Sequence, residues 1–366
     1  MRMMKGTTWR GAARAAVFAA AIAAVAAGAR ADERSETLEK RAALDGAKRV
    51  VVKNARGDVF VEGEAGRDGI LCEYVKTAKG RKRDEIERSL AAMDVDVKRI
   101  GDALEITAVY PKRADGDRGL LSLIMQRYTS VSIDMRIRVP AEAALAVSGG
   151  SGDVDVAGIA AAVEISASSG DISARRIGGP LEIQVSSGDI EVEDSAGPAE
   201  LSAASGDIDV RRVAKRVALQ SASGEIVASD LGGDLLVSSA SGDVEISGSG
   251  SIEFRGTSGN AVFTGVRGGV AASTASGDLE IVAAPAGAAN FDLASSSGGI
   301  VLSFERELPG GFALKAQTTT GEIAVSLPIK LHKVSRRYLA GVVGEGRSLV
   351  AVETSSGSIT ITGAGK

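Results

Sequence analysis

Short bursts of alternating apolar and polar residues recur along most of the chain, and the turns between them carry a tripeptide resembling Ser-Gly-Asp. Its glycines are Gly152, Gly170, Gly188, Gly206, Gly224, Gly242, Gly259, Gly277, Gly298, Gly321 and Gly357; the first five intervals are 18 residues each, and the last, 36, is two periods. Two and four places after each glycine stand small or apolar residues, as in Ile172 and Ala174, Ile190 and Val192, or Ile359 and Ile361, with polar residues such as Glu191 and Thr360 between them. Seven and five places before it comes a second apolar pair, as in Val163 and Ile165 or Leu181 and Ile183. Alternation with period two predicts half-buried strands, two in each repeat.

A unit this short cannot bury a core alone, so the repeats must stack. Two strands per repeat fit either a coil lying parallel on the next coil or a chain of hairpins. Hairpins favour tight two-residue turns such as Asn-Gly, which the repeats lack, whereas coils bring identical strands together as columns of Ile and Val. The predicted fold class is therefore all-β, a single-stranded parallel β-solenoid. About eleven or twelve coils at ~4.8 Å give a rod on the order of 55 Å.

The two corners of the coil differ. At the tag, glycine tolerates positive φ and the aspartate is expected to bond backbone two residues on. The other corner is looser, as in Gly178-Gly179-Pro180, Ala196-Gly197-Pro198, Gly232-Gly233 and Gly268-Gly269. Three places before the tag glycine the column is small or hydroxylated in Ala167, Ala203, Ser221, Ser239, Thr274, Ser295, Thr318 and Thr354. Such side chains suit a narrow corner, and their hydroxyls are expected to hydrogen-bond along the stack.

The repeat domain spans residues 145–366, with an irregular, loop-rich insertion expected near 330–347. Residues 32–144 read as a β-rich cap: a degenerate tag strand around Gly57-Asp58-Val59, a short helix near 81–93 with Ile86, Leu90 and Met93 on one face, strands at 94–100, 103–110 and 131–139, and an insertion around 120–128. This region is expected to shield the first coil from end-to-end pairing.

Residues 1–31 follow another pattern. Arg2, Lys5, Arg10 and Arg14 precede an uncharged Ala-rich run, and Ala29-Arg30-Ala31 supplies a small-x-small cleavage site. This reads as a secretory signal peptide, its apolar run of about fourteen residues being shorter than the ~20 that span a bilayer. Export to the periplasm or cell surface follows, with no membrane span after cleavage. Loss of the leader's five basic groups leaves 38 basic against 47 acidic side chains, a balance that gives no electrostatic reason to bind nucleic acid. The lone Cys72 has no disulfide partner and reads as a small buried strand residue.

The Asn54-x-x-Gly57-Asp58-Val59-x-Val61-x-Gly63 segment, the strand ending in Val139-Pro140, the repeated Ser-Ser-Gly-Asp-Ile tags and the closing Thr354-Ser355-Ser356-Gly357-Ser358-Ile359 resemble the bacterial adhesin-like family called domain of unknown function 4097. The likeness spans most of the mature chain. It implies a β-repeat fold and, through the family's description, adhesion.

Candidate chemistry is sparse. His332 sits in a Lys-rich stretch without Cys or His at ligand spacing, so triads and zinc sites lack their raw material. The tag aspartates Asp153, Asp171, Asp189, Asp207, Asp243 and Asp278 could stack their charges beside a Ca²⁺ ion, but the Gly-Gly-x-Gly-x-Asp pattern of calcium β-rolls is absent, and Glu225, Asn260, Gly299, Glu322 and Ser358 replace them. A turn-forming role is the expectation. Arg56-Gly57-Asp58 spells an integrin-type tripeptide but occupies an ordinary tag turn, and the only tryptophan, Trp9, lies in the leader, which disfavours a sugar-stacking cleft. No catalytic, cofactor-binding or metal-binding residue is assigned. The expected function is that of an exported, non-catalytic adhesin or envelope scaffold binding an unidentified macromolecule through its sheet faces; alternatives are a periplasmic envelope-stress module and a polysaccharide-active β-helix enzyme.

Overall fold

A computed structural model describes residues 18–20, 33–111 and 129–363. The leader assigned to 1–31 lies outside these, apart from the backbone of Phe18–Ala20, a strand paired antiparallel with residues 39–41. The insertion expected at 120–128 lies outside them too.

The chain is a β-solenoid of two facing sixteen-stranded sheets. Strands that follow a tag, such as Ile172–Ile177 and Ile190–Ser195, form sheet 1, and strands that precede one, such as Val163–Ser169 and Leu181–Ser187, form sheet 2. Within the described residues, thirteen two-strand layers stack in parallel, so the stack is roughly 58 Å long at ~4.8 Å per layer. Register is like-on-like: Ile172 lies beside Ile190, Ile190 beside Ile208 and Ile208 beside Ile226. These residues and their counterparts in sheet 2, including Ile165, Ile183, Leu201 and Leu219, are buried between the sheets. Larger rings enter where neighbours shrink. Phe254 lies beside Ala272 in the ladder and meets Phe263 edge-on with centroids 5.4 Å apart, and a Cβ at Gly256 would come within 2.7 Å of the Phe254 ring.

The glycine of each tag is a stacking requirement. At Gly188, φ is +134°, and an added Cβ would sit 2.1 Å from the carbonyl oxygen of Gly170 one layer below. No L side chain fits that contact, so the column keeps consecutive corners at strand spacing.

Layer order departs from chain order at both ends. Arg49–Arg56 and Val59–Glu64 form a layer directly against Ala144–Ser151 and Val154–Ala157; Ala103–Val109 and Ser130–Pro140, which lie between them in sequence, are one layer further out. At the other end, Ser348–Ser356 and Ile359–Thr362 slot between the Phe291–Phe304 layer and the outermost layer, Gly311–Thr320 with Ile323–Ser326. A degenerate tag in the N-terminal region is thus a full member of the stack.

Antiparallel strands end the rod. Gly69–Lys79 and Glu33–Ala43 extend sheet 1, and Asp94–Ile100 extends sheet 2. The helix Arg83–Ala92 packs Ile86 and Leu90 against this end. The buried Lys76 donates to the Leu90 and Met93 carbonyls at 3.0 and 3.3 Å and pairs with Glu36 at 2.9 Å, supplying the positive charge that the helix's last turn lacks. At the far end residues 330–347, expected to be loop-rich, instead hold an antiparallel hairpin, Lys330–Ser335 and Tyr338–Gly344, which carries the chain back to its final layer. The hairpin lacks a clean apolar alternation because the Lys330–Ser335 strand is exposed at every residue.

Candidate functional site

The surfaces available for recognition are the outer faces of the two sheets and the two columns of corners. At the tag corner the aspartates form a ladder. Asp153 accepts the backbone N–H of Asp171 at 2.9 Å, Asp171 that of Asp189 at 2.9 Å, and Asp189 that of Asp207 at 2.8 Å. Asp207 accepts from Glu225, Asp243 from Asn260, Asn260 from Asp278, and Asp278 from Gly299. The expectation of a local bond two residues on is therefore corrected: each side chain reaches the next layer, because the corner points it along the rod axis. Each carboxylate thus has a backbone partner, and among the described residues no group of three or more His, Cys, Asp or Glu side chains is arranged to hold a metal ion.

Asp58 of the Arg-Gly-Asp tripeptide is a rung of this ladder. Its carboxylate accepts the Asp153 N–H at 2.9 Å, and its own N–H donates to Asp134 at 3.1 Å. Arg56 is tied down by the Tyr110 hydroxyl, which accepts the Arg56 N–H at 3.2 Å. The hydroxyl column beside the tags bonds between layers only in part: Thr354 donates to the Gly298 carbonyl and Thr318 to that of Gly357, each at 3.0 Å, whereas Thr274 bonds Ser276 of its own strand and the buried Ser221 and Ser239 hydroxyls meet no partner among the described residues.

A second corner column escaped sequence reading. Six places after the tag glycine, Arg176, Asp194, Arg212 and Asp230 all adopt positive φ between 53 and 59°, continuing a column of Gly158, Gly248 and Gly265. Charges alternate up the column. Arg212 donates to Asp194 at 2.6 Å, and that bond holds the Asp194 carboxyl below its ordinary range. Aligning the repeats on this position, instead of on the tag alone, exposes the alternation in the sequence.

The outer faces hold shallow, open grooves. On sheet 1 one of about 430 Å³ runs from Phe60 past Asp153, Asp155, Asp171, Asp189, Glu191, Asp207 and Asp209. On sheet 2 a groove of about 480 Å³ follows Ser166, Gln184, Ser202, Gln220 and Ser238 across successive layers to Arg255. Nearer the loose corner of sheet 2, grooves of about 610 and 420 Å³ meet at Arg216 and Leu236. Phe60, 40% exposed beneath the Arg136 guanidinium, was not singled out in the sequence because its degenerate repeat gave no column for comparison.

The remaining sequence candidates do not converge. His332 lies on the exposed Lys330–Ser335 strand, at the opposite end of the rod from Cys72. Cys72 is fully buried, and burial pushes its thiol up to about 12. Nearby, burial and the Asp94 hydrogen bond raise the Tyr74 hydroxyl; for Asp94 itself burial acts upward, but bonds from Lys40 and Tyr74 outweigh it and lower the carboxyl. That network joins the cap strands to one another. Among the described residues no helix is long and apolar enough to cross a membrane.

Two long parallel sheets wound as one coil, with open grooves laid along the layers, define a β-solenoid repeat protein. Residues 45–197 and 194–362 each match the model of the Toastrack DUF4097 family, and the chain belongs to that family. Among solved structures it is similar to a putative adhesin from Bacteroides fragilis, at 12% identity over 90% of this chain and 97% of that one, TM-score 0.33. It is also similar to a putative lipid binding protein from Parabacteroides distasonis, at 13% identity over 90% and 96%, TM-score 0.32. A third is a putative cell adhesion protein from Clostridium sporogenes, at 9% identity over 90% and 100%, TM-score 0.24. No curated protein matches the chain.

Proposed function

We propose that this chain is an exported, non-catalytic β-solenoid serving as an adhesin or envelope scaffold, which holds another macromolecule against its outer sheet faces. The observation that carries the reading is the form of the grooves: shallow, open to solvent and lined by the same repeat positions over several layers. A surface of that kind meets an extended partner at many equivalent points, whereas small-substrate sites are concave and enclose most of their ligand. The Ala-rich leader supports export.

The test is to locate the mature form by cell fractionation and to measure binding of purified mature protein to isolated envelope fractions. Release of the mature form across the inner membrane and saturable envelope binding are expected. Retention in the cytoplasm removes the envelope role. Release of unsaturated or reducing ends from acidic polysaccharides replaces the reading with an enzymatic one.

A further inference from the structure

The end hairpin is the electrostatic opposite of the rod it closes. Residues 330–347 contain five basic side chains and one acidic, while residues 145–310 contain nine basic and twenty-three acidic. Lys330, Lys333, Arg336 and Arg337 are exposed, and none of them forms an ion pair within the chain among the described residues. On the same strand Leu331 and Val334 are 52% and 58% exposed. Lysine on an edge strand blocks unwanted strand pairing and needs no partner. Two exposed aliphatic side chains interleaved with the cations serve no such purpose, and they call for an apolar surface edged by carboxylates.

The chain carries that surface. The two grooves near the loose corner of sheet 2 share Arg216 and Leu236 and so form one track along the rod. Its floor includes Pro180, Pro198 and Leu236, and Glu182 and Glu200 line it one layer apart. Asp292 continues the acidic edge further along. No basic side chain pairs with Glu182, Glu200 or Asp292 among the described residues. Cations that form no ion pair, Lys333 among them stacked over the Tyr338 ring, stand beside exposed Leu and Val, and their complement lies in the carboxylate-edged part of the track on either side of Arg216. The hairpin closes one end of the stack and the track runs along its side, so two different patches are involved.

We propose that the Lys330–Ser335 strand and the following Arg336 and Arg337 dock in the sheet 2 track of a second copy of this chain. The contact is heterologous, joining unlike patches, so each copy offers one hairpin and one track and assembly proceeds head to tail, into a ring or an open filament. This deepens the scaffold reading and rests on it. Attraction between exposed charges is screened within ~8 Å at physiological ionic strength, so association should be salt-sensitive.

The experiment is sedimentation velocity of the mature full-length chain over a range of concentrations at low and at about 0.5 M salt, with three variants: K330E/K333E/R336E, E182K/E200K, and all five changes together. Circular dichroism and melting establish that each is folded, and K330A/K333A/R336A replaces any reversal that is not. Concentration-dependent association at low salt is expected, weakened about tenfold or more by either reversal and by salt. The combined variant should recover association, because the charges are again opposite. A monomeric wild type at low salt, or reversals without effect, overturns the proposal. So does failure of the combined variant to recover. Sedimentation with vesicles containing anionic phospholipid is the parallel arm: hairpin-dependent vesicle binding by a chain that stays monomeric assigns the strand to a membrane surface instead. Envelope binding that persists without self-association would leave the adhesin reading standing while removing this one.

Discussion

Replacing Asp189 by Ala and by Asn separates the two forces that act along the tag ladder. Asp189 accepts the Asp207 N–H at 2.8 Å, and its own N–H donates to Asp171 at 2.9 Å. A neutral hydrogen bond stabilises by about 1 kcal/mol, and one to a carboxylate by about twice that. Against this, carboxylates in adjacent layers about 4.8 Å apart repel by about 0.9 kcal/mol in water, and ~8 Å screening roughly halves the figure. With neighbours on both sides, the repulsion at Asp189 is about 1 kcal/mol. Asp189→Ala loses the bond and the repulsion, for a net destabilisation of about 1 kcal/mol. Asp189→Asn keeps a neutral acceptor and loses the repulsion, so it should fall within about 0.5 kcal/mol of wild type. Asn260, which accepts the Asp278 N–H at 3.1 Å, is the chain's own instance of that substitution. Urea unfolding measures the stabilities, and hydrogen exchange at the Asp207 amide reports the bond itself. Equal losses in both variants, or unchanged protection of that amide in Asp189→Ala, would refute the interlayer account.

Other outcomes follow from the same geometry. Glu225 donates its N–H to Asp207 but its own carboxylate accepts none from Asp243, so Glu225→Asp should restore the missing rung and stabilise by about 1 kcal/mol in urea unfolding. Gly188→Ala combines a φ of +134° with a 2.1 Å approach to Gly170, and should cost at least about 3 kcal/mol or abolish folding, read by thermal melting. The Cys72 thiol, pushed up to about 12 by burial, stays protonated in the folded chain while the unfolded chain ionises near 8.5. Its contribution is fully present below ~8.5 and is lost as pH rises toward 12, by about 1.4 kcal/mol per unit at most; Cys72→Ala should flatten the alkaline limb of the stability profile. Asp94 has the opposite sign: its carboxyl is lowered in the fold, so its contribution is present above the ordinary value near 3.9 and fades in acid, and Asp94→Asn should reduce the acid sensitivity of the melting temperature.

Periodicity exposed the solenoid because parallel stacking places the same requirement on the same position of every layer. Where one requirement repeats, as at the tag glycines or at Ile172, Ile190, Ile208 and Ile226, the columns can be aligned without any structure. Sequence order does not dictate stacking order, however. The last layer of the chain is the second from the end of the rod, because a hairpin turns the chain back and Ser348–Ser356 with Ile359–Thr362 takes the edge of the Phe291–Phe304 layer. Only the 36-residue interval hinted at this, and an interval gives length without direction.

The outer grooves were harder to read because an outward-facing position is not constrained by the core and changes from layer to layer. Glu164, Glu182 and Glu200 repeat, but the next residues in their column are Ala218 and Leu236. Core columns report the common fold; outer columns report where along the rod one layer differs from the next. Arg176, Asp194, Arg212 and Asp230 show that such variation can itself be ordered, since charge alternates at a position where every layer needs the same left-handed turn. Glycine meets that turn at Gly158, Gly248 and Gly265 without strain, so the four charged residues bear a backbone cost that their glycine neighbours do not. Among the described residues only Arg212 and Asp194 of the four pair with each other, and that pair is exposed, so it stabilises by less than about 1 kcal/mol. Stability alone therefore does not account for keeping charge in the middle of that column.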